Sequence, residues 1–287
     1  MISAFVINLD RDTHKWTAFQ KAFQSTSSNI RIERFPAVDG KQYRKTPHTD
    51  MSTWAHQFNT NKTIGCFKSH TAVWKQVVER DLAYAMVLED DVDPTENWEQ
   101  RVFSTLKDMS HSPWDVILLG YHSQYITQHS DKNMFLFPLL KFINLGKKSH
   151  DIANGIISPV AFGGAHAYLI SNQGARKLLA LCKTHNGVPI DGRMSGLHVN
   201  GNINVAACVP PVITTYGASD ETNMSWFLWW MNDGAWSVGG CEMKNKQFVI
   251  LCGLLLVLFV VTRRPVFIYG IVLMLGVYLF FCILFRQ

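Results

Sequence analysis

The sequence predicts an α/β domain with a mostly parallel sheet, followed by a C-terminal helical hairpin set in a membrane. Three observations point there. Short apolar runs alternate with segments of helical period over the first 120 residues, the pattern of strands joined by crossover helices. One of those runs ends in clustered carboxylates, at the place where open α/β sheets hold ligands. The chain then closes on two long uncharged stretches.

The elements follow in order. Ala4-Phe5-Val6-Ile7-Asn8-Leu9 is rich in β-branched and aromatic residues. It reads as a first strand rather than a leader peptide, because Asp10, Arg11 and Asp12 interrupt it too early. Trp16, Phe19 and Phe23 recur at helical spacing across 13–23. Ile30 to Phe35 alternates apolar and charged residues, as a second strand would, and runs into Pro36-Ala37-Val38-Asp39-Gly40. Residues 41–62 read as a polar surface excursion. Phe67, Val73, Trp74, Val77 and Val78 form an apolar stripe that predicts a helix over 63–80. A strand over Ala85–Leu88, a helix over 95–109 and a strand at Trp114–Gly120 come next. Residues 121–160 show no clear period and read as the loop-rich half of a binding site. After a strand at Ala165–Ile170, Ser171 is placed to cap a helix over 172–182. Pro189-Ile190-Asp191-Gly192-Arg193 reads as a loop, followed by a strand at Val205–Val209.

The chemistry concentrates in Tyr84-Ala85-Met86-Val87-Leu88-Glu89-Asp90-Asp91-Val92-Asp93. An apolar run without alternation is a buried strand. Burying carboxylates is costly unless they are paired or bind a cation, so the acids emerge at the strand's carboxyl end. Clustered oxygen ligands suit Mg²⁺ or Mn²⁺ bridging to a phosphate. The plainer alternative is a solvated acidic turn before a helix starting near Pro94. Glu89 and Asp91 alternate along an extended backbone and point the same way.

The formal net charge is +5 over 287 residues. Three of those charges, Arg263, Arg264 and Arg286, have no acidic neighbour beyond residue 247. No basic face argues for nucleic-acid binding. The six cysteines contain no Cys-x-x-Cys pair, which is neither a zinc pattern nor a dense disulfide framework. A reducing compartment is the simpler reading.

Residues 248–262 and 266–285 carry no charge. As helices they extend about 22 Å and about 30 Å, against a hydrocarbon core of about 30 Å. Arg263-Arg264-Pro265 would form the tip of a transmembrane hairpin. Trp226-Phe227-Leu228-Trp229-Trp230-Met231 before it suits a bilayer interface, with ordinary core packing as the alternative. Lys244, Lys246 and Arg286 then lie on the side of the main domain, which favours a cytoplasmic location for it. Asn61-Lys62-Thr63 and Asn223-Met224-Ser225 fit the glycosylation sequon and would matter only in a lumenal domain. The expected organisation is a domain over 1–220, an interfacial linker over 221–247 and the hairpin over 248–285.

Six segments together resemble glycosyltransferase family 25, the group of lipooligosaccharide and collagen galactosyltransferases. They are Phe5-Val6-Ile7-Asn8-Leu9-Asp10-Arg11, Phe35-Pro36-Ala37-Val38-Asp39-Gly40, Gly65-Cys66-Phe67-Lys68-Ser69-His70, Val87-Leu88-Glu89-Asp90-Asp91-Val92, Ala167-Tyr168-Leu169-Ile170-Ser171 with Gly174-Ala175, and Pro189-Ile190-Asp191. The resemblance spans roughly residues 3–215 and leaves out the apolar C-terminus. It implies a GT-A fold, Rossmann-like, and inverting transfer of a sugar, often galactose, from a UDP-sugar to a glycan, lipid-linked or protein acceptor.

Roles follow from that implication. Glu89 and Asp91 would hold Mn²⁺ or Mg²⁺, with Asp90 alongside on the sugar-nucleotide. Asn8, Asp10 and Arg11 would meet the nucleotide, or Arg11 form a plain surface pair. Asp39 would reach the nucleoside, or simply cap its turn. Lys68 would contact phosphate and His70 order the site, with core packing the competing reading for the histidine. Asp191 is the candidate base for the acceptor hydroxyl. His198 is the runner-up, as base or as a further metal ligand. Two rival functions stand beside this one: an inactive membrane-anchored sugar-nucleotide or partner-binding module, against which the intact acidic motif and Asp191 weigh, and a metal-dependent nucleotidyltransferase, which would also use clustered acids with metal.

Overall fold

The structure is a computed structural model. It describes residues 1–43, 45, 49–52, 55, 59–122, 149–186, 188–215, 235–238, 241–244, 254–258, 260, 262 and 266–284. The tryptophan-rich run 226–231, the second sequon and most of the expected loop-rich stretch lie outside them. The chain divides into two compact units, Met1–Asn223 and Met224–Gln287.

The first unit opens with β1 (Ile2–Asn8), α1 (Thr13–Ala22), β2 (Ile30–Pro36) and a short α2 (Gly40–Tyr43). A long α3 (Asn61–Glu79) leads to β3 (Tyr84–Glu89), which carries the acidic motif at its end. Then come β4 (Val92–Pro94), α4 (Trp98–Asp108), β5 (Val116–Gly120), β6 (His150–Ala153) and β7 (Ile156–Ser158). The unit continues through β8 (Ala167–Ser171), α5 (Asn172–Leu181), α6 (Ile190–Val199), β9 (Val205–Cys208) and β10 (Ile213–Thr215).

Among the described residues the main sheet has eight strands in the order β2-β1-β3-β8-β5-β9-β7-β6. It is mixed rather than mostly parallel. β1 pairs in parallel with β2 and β3, and β5 with β9, but β8 runs antiparallel between β3 and β5. The β6–β7 hairpin also joins the sheet in antiparallel fashion. The strand–helix alternation that implies a parallel sheet ends with β5. β8 follows the β6–β7 hairpin and enters between β3 and β5, and an antiparallel neighbour needs no helical crossover.

The sheet is covered on both faces, and successive residues of each strand divide between them. Phe5, Val87, Leu118 and Tyr168 face Phe67, Trp74, Val77 and Leu178 from α3 and α5, with Met194 from α6. Val6, Leu88, Ile117 and Leu169 face Phe19, Val102 and Met109 on the α1 and α4 side. Burial on both sides explains why β3 and β5 are apolar without alternation.

Two local expectations change. Asp93 lies in β4, which pairs with β10, rather than at a helix start near Pro94. Asp191 lies in the first turn of α6 rather than in a loop, with Pro189 at the cap position.

In the second unit β11 (Ala235–Val238) and β12 (Cys241–Lys244) form an antiparallel pair, and α7 spans Val266–Leu284. Side chains of α7 are described only as far as Gly276. Among the described residues no helix is long and apolar enough to cross a membrane, so the structure does not support the expected transmembrane hairpin. In the first of the two stretches only 254–258, 260 and 262 are described, all helical.

One close approach shapes the site. The turn after β2 lies against the first turns of α3, and a Cβ on Gly65 would come 2.6 Å from the Val38 carbonyl oxygen. Both partners are backbone and cannot swing aside. We expect Gly65→Ala to lower stability by about 1–3 kcal/mol, read as a shift in the urea midpoint at unchanged m-value.

Candidate active site

Because β1, β2 and β3 are parallel, their carboxyl ends open on one edge of the sheet. A cavity of about 490 Å³ lies there. Its wall includes Ile7, the turn at Ala37–Lys41, the face of α3 that carries Lys62, Cys66 and His70, and all of Glu89-Asp90-Asp91.

The three acids are held differently. Asp90 is committed to structure: Asn8 Nδ2 donates to its Oδ2 at 2.7 Å, and Lys15 Nζ lies 3.5 Å from its Oδ1. Asn8 in turn accepts from Arg34 Nε at 2.7 Å. Glu89 faces α3. The Trp74 indole donates to Tyr168 Oη at 2.7 Å, Tyr168 Oη lies 2.9 Å from His70 Nδ1, and His70 Nε2 lies 3.4 Å from Glu89 Oε1. Every group in this chain is satisfied if Tyr168 donates to Nδ1 and the imidazole keeps its proton on Nε2. Burial works against ionisation of Glu89, but His70, His166 and Lys62 together outweigh it and hold its pKa below the usual range. Asp91 has the opposite balance. Burial and the charge of Glu89 push it up to about 6, and its Oδ1 is buried with no hydrogen-bond partner among the described residues. A carboxylate oxygen left this way, beside a second carboxylate, calls for a cation.

The cations of the cleft are Lys15, Arg11, Lys41 and Lys62. Lys15 has its pKa raised: burial opposes this, but Asp90 and Asp91 prevail. Arg11 pairs with Asp39, whose Oδ1 also accepts from the Lys41 backbone N–H at 2.9 Å. Asp39 thus caps its turn and lines the cavity at once.

Of the residues expected at the site, the structure brings Arg11, Asp39, His70, Glu89, Asp90 and Asp91 to the cavity. Others lie elsewhere. Asn8 is 1% exposed and positions Asp90 rather than facing the cleft. Asp10 is exposed on the surface and pairs with Arg34 at 2.8 Å. Lys68 is buried, with Nζ 2.6 Å from Asp50 Oδ2, and so anchors the segment at Asp50 instead of reaching a phosphate. His198 is tied to backbone: Nε2 lies 2.7 Å from the Pro159 carbonyl and Nδ1 3.3 Å from that of Ile203. Both ring nitrogens are engaged, so it is placed neither as base nor as metal ligand. Asp191 accepts from the Gly164 N–H at 2.8 Å, and its charge reaches the Cys66 thiol on the cavity wall.

Residues not singled out from the sequence complete the site. His166 contacts Glu89 through its carbonyl oxygen, which accepts the Glu89 N–H at 2.9 Å. Its ring packs near that of His122, 5.7 Å between centroids, and burial drives its pKa down to about 4. No local pattern marks His166. Cys66 is different, for it stands one helical turn before His70 on the same face.

The comparisons with known proteins agree on one family. Residues 1–194 match the profile of glycosyltransferase family 25, described as an LPS biosynthesis protein. The chain belongs to glycosyltransferase family 25. A glycosyltransferase 25 family member of Anopheles gambiae is 33% identical over 126 residues, which is 40% of this chain and 21% of that protein. A probable inactive family member 3 of Bos taurus is 31% identical over 137 residues, 46% of this chain and 20% of that one. Human procollagen galactosyltransferase 2 is 24% identical over 198 residues, 65% and 29% respectively. The chain thus spans well under a third of the length of these relatives. A solved galactosyltransferase, LgtC with donor and acceptor sugar analogues, matches 61% of this chain and 60% of its own at 12% identity and a TM-score of 0.31.

The Asp91 carboxyl binds its proton more tightly in the folded chain than its ordinary value of 3.8 implies. Its charge therefore costs stability above about pH 6, and that cost is absent below the unfolded value. In chelator, Asp91→Asn should be more stable than the parent by roughly 2–3 kcal/mol at pH 8, with the gain vanishing towards pH 4. Urea unfolding at both pH values checks this.

Proposed function

We propose that the cleft binds a nucleotide-sugar and transfers its sugar, with inversion, to a hydroxyl of a glycan, lipid-linked or protein acceptor. UDP-galactose is the proposed donor, and a GT-A type fold the proposed frame. The observation that carries this reading is the pair Glu89 and Asp91 at the carboxyl end of β3, with a buried Asp91 oxygen that has no partner among the described residues, in a family 25 chain.

The acids fit a divalent cation, Mn²⁺ or Mg²⁺. Glu89 and Asp91 would hold it, and when bound it supplies charge neutralisation for a departing diphosphate. The chain's own residues do the rest. Lys15, Lys62 and Arg11 offer positive charge to phosphate oxygens. Asn8 and Lys15 fix Asp90, and His70 orients Glu89. Asp191, one oxygen held by Gly164, takes the proton of the acceptor hydroxyl with its other oxygen, as the acceptor oxygen attacks the anomeric carbon from the face opposite the leaving diphosphate. The carbon–oxygen bond to the diphosphate breaks in the same displacement, and the sugar is inverted.

Membrane attachment belongs to this reading too, with the catalytic unit on the cytoplasmic side. It rests on the uncharged residues 248–262 and 266–285 and on the exposure of Val266, Tyr269 and Leu273 in α7. The acceptor would then be one that a tethered site can reach.

The test is UDP release from UDP-galactose with Mn²⁺, with and without a galactosyl acceptor panel. Acceptor-dependent release supports transfer, donor binding without turnover supports a binding module, and pyrophosphate release from a nucleoside triphosphate supports nucleotidyl transfer. Asp191→Asn should lower turnover by about 10²–10⁴-fold with little change in donor affinity. Unimpaired transfer would remove Asp191 from the role.

A further inference from the structure

We propose that Cys66, His70 and Glu89 form a site for a thiophilic divalent cation of the Zn²⁺ class, on the floor of the same cleft. The sequence holds no zinc-ligand spacing between cysteines, but the fold assembles a mixed set. Cys66 and His70 lie one turn apart on α3, and β3 brings Glu89 to the same face. One ligand atom from each lies within 4.8 Å of the other two. Cys66 Sγ is 3.9 Å from Glu89 Oε1, and His70 Nε2 is 3.4 Å from that same oxygen. Ligands around a tetrahedral zinc, with bonds of about 2.3 Å to sulfur and about 2.0 Å to nitrogen or oxygen, sit about 3.5 Å and about 3.3 Å apart. The two metal-free spacings are thus within a few tenths of an ångström of bound ones, and the sulfur and the histidine nitrogen lie within 4.8 Å of each other, a gap that side-chain adjustment closes.

The proton balance is simple. Binding releases the Cys66 thiol proton to solvent and forms the thiolate–metal bond. The His70 proton shifts from Nε2 to Nδ1, where Tyr168 Oη accepts it, so the Tyr168 hydroxyl hydrogen turns away. The Tyr168 and Trp74 partners hold the imidazole ring in place throughout, as groups behind metal-bound histidines do. Glu89 cannot serve this cation and a hard cation shared with Asp91 at the same time. A Zn²⁺-class ion therefore opposes Mn²⁺ in the cleft, and this consequence alone rests on the proposed transferase reading.

The experiment uses Co²⁺ as the probe, titrated into the chelator-treated full chain. We expect a near-ultraviolet thiolate-to-cobalt absorption band that saturates at one equivalent and that Zn²⁺ abolishes. The band should vanish in Cys66→Ser, and the cobalt affinity should fall at least about ten-fold in His70→Gln. No band in the parent chain, or an undiminished band in Cys66→Ser, overturns the site. A second readout needs no variant: Zn²⁺ should protect Cys66 from alkylation by iodoacetamide, read by peptide mass spectrometry, and equal labelling with and without Zn²⁺ overturns the proposal. A cobalt band without sugar transfer under any metal would remove the proposed function and leave this site. Transfer without a band would do the reverse.

Discussion

Two carboxylates of like charge stand at the end of a buried central strand, and the rest of the first unit is arranged around that cost. Glu89 and Asp91 are two residues apart, and the charge on the first pushes the pKa of the second upward. Isolated, the pair would be expensive to bury. The fold offsets it unevenly. Glu89 receives His70, which is itself steadied by Tyr168 and Trp74. Asp91 is left with one buried oxygen that has no partner among the described residues. The imbalance concentrates the uncompensated cost of burial on Asp91.

Asp90 shows why the motif has three acids with separate tasks. It is turned towards Asn8 at the end of β1 and Lys15 on α1, which hold it. That contact depends on the parallel pairing of β1 with β3, in which Ile7 lies opposite Glu89. A slip by one residue would exchange the side chains that face α3 with those that face α1. The register therefore places the acids at the rim, and Asp90 fastens the rim to α1 through Lys15.

The same geometry leaves Glu89 at the junction of two ligand sets. With Asp91 it presents oxygen alone, which suits a hard cation. With Cys66 and His70 it presents oxygen, nitrogen and sulfur, which suit a softer one. Lys62 and Lys15 supply positive charge around both sets.

Much of this was legible in the residues. The strands β1, β3 and β5 were marked by unbroken apolar runs, and α3 and α5 by their stripes. The placement of Glu89, Asp90 and Asp91 at a strand's carboxyl end followed from the cost of burying charge. The helix at Asp191 was hidden because Pro189 and Gly192 read as turn residues, although proline is also at home at a helix start. Lys68 and His198 misled for another reason: their partners, Asp50 and the Pro159 carbonyl, are distant in the chain.

The sequence by itself determined the strands and helices with a clear period (β1, β2, β3, β5, β8, β9, α1, α3, α4 and α5), which family the chain joins, and which acids reach the rim. All of these depend on local period and on short motifs. Tertiary structure alone decided that β8 enters antiparallel between β3 and β5, that Asn8 serves Asp90, and that Cys66, His70 and Glu89 converge. Those are pairings between residues far apart in the chain, and no local pattern encodes a long-range distance.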